Sequence, residues 1–130
     1  MHTKLKLNQT VILEGTSYKV IGIDDYSLIN VFGNTKNWIS YTLVDEKNNK
    51  TWISYEAIPD HFVQWSLISE KEFLKEAKTP LNMELSGIAN ITFKGNPGFS
   101  TPVAELFWFN LPIPRIIRRN RFFLGAWRES

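Results

Sequence analysis

At 130 residues, with 43% hydrophobic and 14% aromatic side chains, the chain is large enough to bury a core as one domain and too apolar for wholesale disorder. It has no cysteine, which excludes disulfides, thiolate metal sites and cysteine nucleophiles. The net charge of +2 is uneven: residues 1–110 sum to −2, and residues 111–130, which hold all five arginines, sum to +4.

The first residues, Met1 to Asn8, contain no apolar signal core, and no window approaches the roughly 18 consecutive apolar residues of a membrane span. A cytoplasmic location, at most peripheral to the membrane, is the expectation. Leu5 to Leu7 and Val11 to Leu13 read as short extended runs that stop at Gly15. Ser17 to Ile23 reads as a strand, with Gly22 as its bulge. Asp24 to Asn37 is mixed and turn-like, so the Asp24-Asp25 doublet is expected in a solvated turn.

Two near-repeated blocks follow, Asn37-Trp38-Ile39-Ser40-Tyr41 and Thr51-Trp52-Ile53-Ser54-Tyr55, with the polar stretch Asp45 to Lys50 just before the second. That pattern predicts an antiparallel hairpin over Trp38–Val44 and Thr51–Glu56. Its register is open between Val44 opposite Ile53 and Leu43 opposite Trp52. The second is preferred because it places two large apolar side chains on one face. A strand from Phe62 to Ile68 comes next. Ser69-Glu70-Lys71-Glu72 then fits a capping box for one short helix near 70–78, stopped by Pro80. Further strands are expected near Met83–Ser86, Ile88–Phe93, Val103–Asn110 and Arg121–Trp127, with a turn at Lys94 to Gly98.

The halves look related, with pseudo-repeats at about 5–68 and 83–128. Each ends in a hairpin whose last strand carries Trp and then Glu: Trp52 with Glu56, and Trp127 with Glu129. The fold class expected is mostly β: two related antiparallel meanders, packed as a sandwich or partly open barrel within one domain over 1–130.

The order of Leu5-Lys6-Leu7, Gly15, Tyr18-Lys19-Val20-Ile21-Gly22, Trp38, Tyr41, Leu43, Trp52-Ile53-Ser54 and Glu56 resembles the bacterial family called domain of unknown function 4178. Gly87-Ile88-Ala89, Glu105-Leu106-Phe107-Trp108 and Leu124 to Trp127 continue the likeness, which spans nearly the whole chain. Two positions depart from it: Asn8 stands for an opening glycine, and Gly125-Ala126 for an acid before Trp127. The resemblance implies a β-rich accessory interaction domain, with no catalytic residues to transfer.

Candidate chemistry is sparse. His61 follows Asp60, but neighbours on a strand point to opposite faces, and His2 lies in the terminal residues. Asp45-Glu46 reads as a solvated turn, and no calcium-loop spacing appears. The glycines after Lys94 lack the Gly-Lys-Ser/Thr step of a phosphate loop. No catalytic, cofactor-binding or metal-binding residue is assigned, and no cofactor is expected.

The segment Leu111 to Arg121 stands out. It joins two aromatic strands and is long for a hairpin link, so it reads either as a protruding loop or as an extended hairpin. Ile113, Arg115, Ile116, Ile117, Arg118, Arg119 and Arg121 make it both apolar and cationic, which suits an acidic protein groove or an anionic membrane interface. The reading is a non-enzymatic interaction module that docks a protein partner through these residues, close to the membrane surface. Two alternatives stay open: a single-stranded nucleic-acid-binding small barrel, disfavoured by the mild charge, and an enzyme with an acid-based site.

Overall fold

The computed structural model describes residues 4–30, 33, 35–56, 61–76, 83–95, 103–109, 115–120 and 123–129. Among them run β1 (Thr10–Leu13), β2 (Thr16–Asn30), β3 (Thr35–Val44), β4 (Lys50–Glu56) and β5 (His61–Ile68). Then come α1 (Glu70–Glu76), β6 (Met83–Gly95), β7 (Val103–Phe109), β8 (Arg115–Asn120) and β9 (Phe123–Glu129). No helix among the described residues is long and apolar enough to cross a membrane.

Two meanders are present, β2 to β5 and β6 to β9, but they form neither a sandwich nor a partly open barrel. The strands pair in the order β1-β2-β3-β4-β5-β9-β8-β7-β6, and β6 pairs again with β2. The result is a closed antiparallel barrel of eight strands, β2 to β9, with β1 as an extra strand beside β2. Closure corrects the sandwich expectation for a physical reason. Two facing meanders would leave four edges of unpaired backbone groups, and joining them edge to edge satisfies all four. One seam is short, with β5 meeting β9 over Trp65–Ile68. The other is long, with β2 meeting β6 from Gly22 to Asn30.

The second seam needs β2 to continue through the stretch expected as a turn. β2 has 15 residues, and Asp24 to Ile29 pair on one edge with β3 and on the other with β6. Gly22 marks the expected bulge: Val20 lies opposite Leu43 and Gly22 opposite Thr42, so Ile21 is the extra residue. The inserted residue resets the alternation. Val20 and Ile23 therefore share one face, and Asp24, Tyr26 and Leu28 share the other.

Both faces of the wall are apolar. Inside, Tyr26, Leu28, Trp38, Ala89, Ile91 and Leu106 pack together. Outside β2–β4, Val20, Ile39, Tyr41, Leu43, Ile53 and Tyr55 form a second cluster, covered by Leu5, Val11, Leu13 and Tyr18. The amides of Lys4 and Leu5 donate to Tyr41 Oη at 2.9 and 3.3 Å, and the Asn8 amide donates to Val20 O at 2.8 Å. These bonds hold the N-terminal segment against the outer wall. On another stretch, Phe73 of α1 packs with Ile68, Ala126, Phe107 and Ile117. That helix begins as expected, with Ser69 Oγ accepting from the Glu72 amide at 3.1 Å.

The β3–β4 hairpin forms in a third register, with Leu43 opposite Thr51 and Thr42 opposite Trp52. Asp45 sets it. Its Oδ1 accepts from the amides of Lys47 and Asn49 at 2.9 and 2.8 Å, and Asn48 takes a left-handed φ of 65°. A left-handed residue closing a tight turn is the usual three-residue hairpin geometry. The Asn49 amide, followed by the Asn49 side chain and Lys47, holds the Asp45 carboxyl below its ordinary range, as a solvated turn acid should be.

Gly95 stands where the long seam ends. It lies opposite Gly22 at a φ of 103°, and a Cβ there would sit 2.5 Å from Ile21 O and 2.7 Å from Leu7 Cδ2. Gly15 has a similar φ of 81° with open space around it. Gly15→Ala should cost about 1 kcal/mol from backbone strain alone. Gly95→Ala should cost more, about 2–4 kcal/mol, because the backbone of β2 must also move. Urea midpoints of the two variants measure the difference, and equal losses would mean that the approach of β6 to β2 is not tight.

Candidate functional site

Eight antiparallel strands leave an interior just wide enough to be filled by side chains or to hold one small ligand. Here it is incompletely filled, and a cavity of about 360 Å³ remains. Strand alternation selects its lining: Trp38, Ser40 and Thr42 from β3, Trp52 and Ser54 from β4, Trp65 and Leu67 from β5, and Trp127 from β9. Cross-strand pairing brings them together, with Trp52 opposite Trp65 and Leu67 opposite Trp127.

The indoles are set at angles to one another. Trp52 meets Trp127 edge to face, with centroids 6.1 Å apart and planes at 78°. Trp38 instead stacks on Tyr26 at 4.8 Å and 5°. Trp65 Nε1 donates to Ser54 Oγ at 2.8 Å, which fixes that ring in the wall. Lys50 and Leu67, both exposed, flank the cavity at one end of the barrel. At the opposite end of β3, the Lys36 ammonium lies 3.3 Å from the Glu56 carboxylate and 4.2 Å from the Trp108 ring centroid. Trp108 in turn meets Trp65 edge to face.

A charged pair crosses the interior. Arg118, on β8, is only 2% exposed; its Nη1 donates to Tyr26 Oη at 2.7 Å and lies 3.5 Å from Asp24 Oδ2. Tyr26 and Asp24 are on β2, and in the ring β6 and β7 lie between β2 and β8. The contact is therefore a chord across the barrel rather than a neighbour pairing. Burial pushes the Asp24 carboxyl above its ordinary value of 3.8, with the Arg118 guanidinium opposing the shift. Burial also pushes the Tyr26 phenol up, so it stays protonated and accepts the guanidinium hydrogen bond. Asp24 Oδ1 is buried with no hydrogen-bond donor among the described residues.

The segment expected to dock a partner is distributed by strand alternation. Arg115 to Asn120 form β8 rather than a loop, paired on both edges. Ile116 lines the cavity, and Arg118 enters the interior. Ile117 packs on the outer wall with Phe73 of α1. Arg119 is outside and bonded to Glu105, over the Phe107 ring. Arg115 opens β8, opposite Phe109 and Arg128. Ile113 and Arg121 lie outside the described residues, as do His2 and Asp60. The seven positions are thus not brought together on one surface. Two of them, Ile116 and Arg118, meet at the cavity.

Sequence reasoning missed Asp24 and Tyr26. The signal was present as the alternation of Asp24, Tyr26 and Leu28 against Ile23, Asp25 and Ile29, with no Gly or Pro between. The acidic doublet masked it.

Two variants test the chord. Arg118→Leu removes the shared partner of Tyr26 and Asp24 and should cost about 3–5 kcal/mol in a urea melt, the scale for breaking a buried charge pair. Asp24→Asn should be milder, because burial already opposes the ionised carboxyl. The folded state holds the Asp24 proton to higher pH than the unfolded chain, since its folded pKa is raised. The stability this supplies is complete below the unfolded value and is lost as pH rises through the folded one. The Tm of Asp24→Asn relative to wild type should therefore improve as pH is raised above about 4, the ordinary aspartate range. A relative Tm that falls over this range would mean that Arg118 outweighs desolvation.

No family model, no curated protein and no solved structure matches this chain.

Proposed function

We propose that the protein is a non-enzymatic binding barrel that holds a small, largely apolar ligand inside. One observation carries this reading: a cavity of about 360 Å³ walled by four tryptophans, with a buried charged group at its side. Ligand pockets start near 300 Å³ and combine apolar walls with a few placed polar groups, which describes this interior. Tryptophans at angles around a space make a poor filled core and a good wall for a flat guest.

Docking of a protein partner or membrane through residues 113–121 draws less support, because Arg118 is spent inside and Arg119 is matched by Glu105. A single-strand nucleic-acid platform needs aromatic faces on the surface, whereas Trp38, Trp65 and Trp127 are buried. The acid-based enzyme is the second reading, favoured by the raised pKa of Asp24 in a cavity. Such chemistry needs a second acid or base, and the other ionisable groups along the described lining are Tyr26, Lys50 and Arg118. The resemblance to domain of unknown function 4178 names no activity, so the reading rests on the cavity.

The test is a titration with the neutral fluorophore N-phenyl-1-naphthylamine. Saturable one-site binding is expected, with enhanced probe emission and quenched tryptophan emission. Thr42→Phe places a ring in the cavity and should weaken binding at least about tenfold with little change in Tm. Absence of saturable binding to the folded wild type, or an unchanged affinity in Thr42→Phe, would set the reading aside.

A further inference from the structure

Asp24 is the one carboxylate along the described lining of the cavity, and its two oxygens differ. Oδ2 faces the Arg118 guanidinium at 3.5 Å, whereas Oδ1 is buried with no donor among the described residues. An ionised carboxylate offers about four acceptor positions, and a buried acceptor left unmet costs free energy. The Asp24 side chain is 16% exposed and lines the cavity, while Oδ1 itself is covered, so a guest must turn the carboxylate to reach it. The neighbours across β2 do not close that access with a donor. Ser40 and Phe93 are the residues directly opposite on β3 and β6, and no bond from Ser40 to Oδ1 is formed.

Resting on the reading of the cavity as a ligand site, we propose that the ligand is an uncharged, planar aromatic molecule whose O–H or N–H donates a hydrogen bond to Asp24 Oδ1. Each part of this description follows from a feature of the wall. The ligand is flat and aromatic because Trp38, Trp52, Trp65 and Trp127 present ring faces and edges, which attract other rings beyond simple area burial. It is uncharged because the interior charges already face each other: a second anion would meet Asp24, and a cation would meet Arg118, with Lys50 at the exposed end. It is a donor because the unmet oxygen, in the ionised form that Arg118 favours against burial, is an acceptor. Ser40, Thr42 and Ser54 line the cavity as well and can serve a second polar atom of the guest.

A matched naphthalene series separates these elements by calorimetric titration of the intact protein at neutral pH. 2-Naphthol carries the ring and the donor; 2-methoxynaphthalene has the ring without the donor, and naphthalene is the smaller control for size. 2-Naphthoate and 2-naphthylmethylammonium carry the same ring with an anion or a cation. 2-Naphthol should bind at least about tenfold more tightly than either donor-free ring, the scale of a buried hydrogen bond to a charged acceptor. Both charged compounds should bind more weakly than 2-naphthol. In Asp24→Asn the acceptor is neutral, and the preference for 2-naphthol over 2-methoxynaphthalene should shrink by about threefold or more.

The wild-type comparison stands by itself if that variant does not fold. If 2-naphthol and 2-methoxynaphthalene bind within about twofold of each other, water serves Oδ1 and the proposal falls while the binding barrel survives. Tighter binding of the naphthoate or of the ammonium compound also overturns it, by showing that Arg118 or Asp24 selects charge. If no member of the series binds, the binding barrel and this proposal fall together.

Discussion

Strand β2 is hydrogen-bonded on both edges through the same residues, and that double pairing creates everything else in the molecule. One edge of Asp24 to Ile29 belongs to the β2–β5 meander, and the other belongs to β6, the first strand of the second meander. Without the second pairing the wall would have two open edges and no inside. With it, alternation along every strand becomes a sorting of side chains into interior and exterior. The bulge at Ile21 sets the phase of that sorting. The Gly22–Gly95 pairing lets β6 come close enough to complete the ring.

An inside made this way is unlike an ordinary core. Its aromatic part, the Tyr26–Trp38 stack with Leu28, Ala89, Ile91 and Leu106, is packed. The rest is a space whose wall mixes indoles, hydroxyls and a charge pair. Burying Arg118 at 2% exposure costs desolvation that a hydrophobic side chain would not incur, and Tyr26 and Asp24 help to offset that cost. A domain built for stability alone would fill this space with leucine. The retained charge and the unfilled volume favour recognition of a guest over packing.

The outer wall explains how a barrel with a partly empty interior remains stable at this size. Tyr41, Leu43, Ile39 and Val20 are fully buried, and they lie under the N-terminal segment rather than inside the barrel. Phe73 of α1 seals another patch over Ile117 and Ala126. Fully burying one such side chain is worth roughly 1.5–3 kcal/mol, so these two covers can carry folding while part of the interior stays unfilled. The division of labour also accounts for β1 and the short helix, which take no part in the ring of β2 to β9.

Local chemistry in the chain was sufficient for the elements it controls. The repeated Trp-Ile-Ser-Tyr blocks specified the β3–β4 hairpin, Ser69 specified the start of α1, and Gly22 specified the bulge in β2, because each depends on neighbours a few residues away. Closure and the inside-outside sense were beyond its reach. In β3, Ile39, Tyr41 and Leu43 alternate with Ser40 and Thr42, so pattern alone assigns the apolar set to the barrel interior. The structure places that set outside, under the N-terminal segment, and turns the hydroxyls toward the cavity. The same ambiguity made the positions from Ile113 to Arg121 look like one apolar and cationic surface, whereas β8 sends Arg118 and Arg119 to opposite sides of the wall. The Arg118–Tyr26 contact joins residues 92 positions apart, and only the closed ring brings them within hydrogen-bond distance. Periodicity is a local property of the chain, but which side of a strand faces inward is decided by what covers it, and that is settled only when the barrel closes.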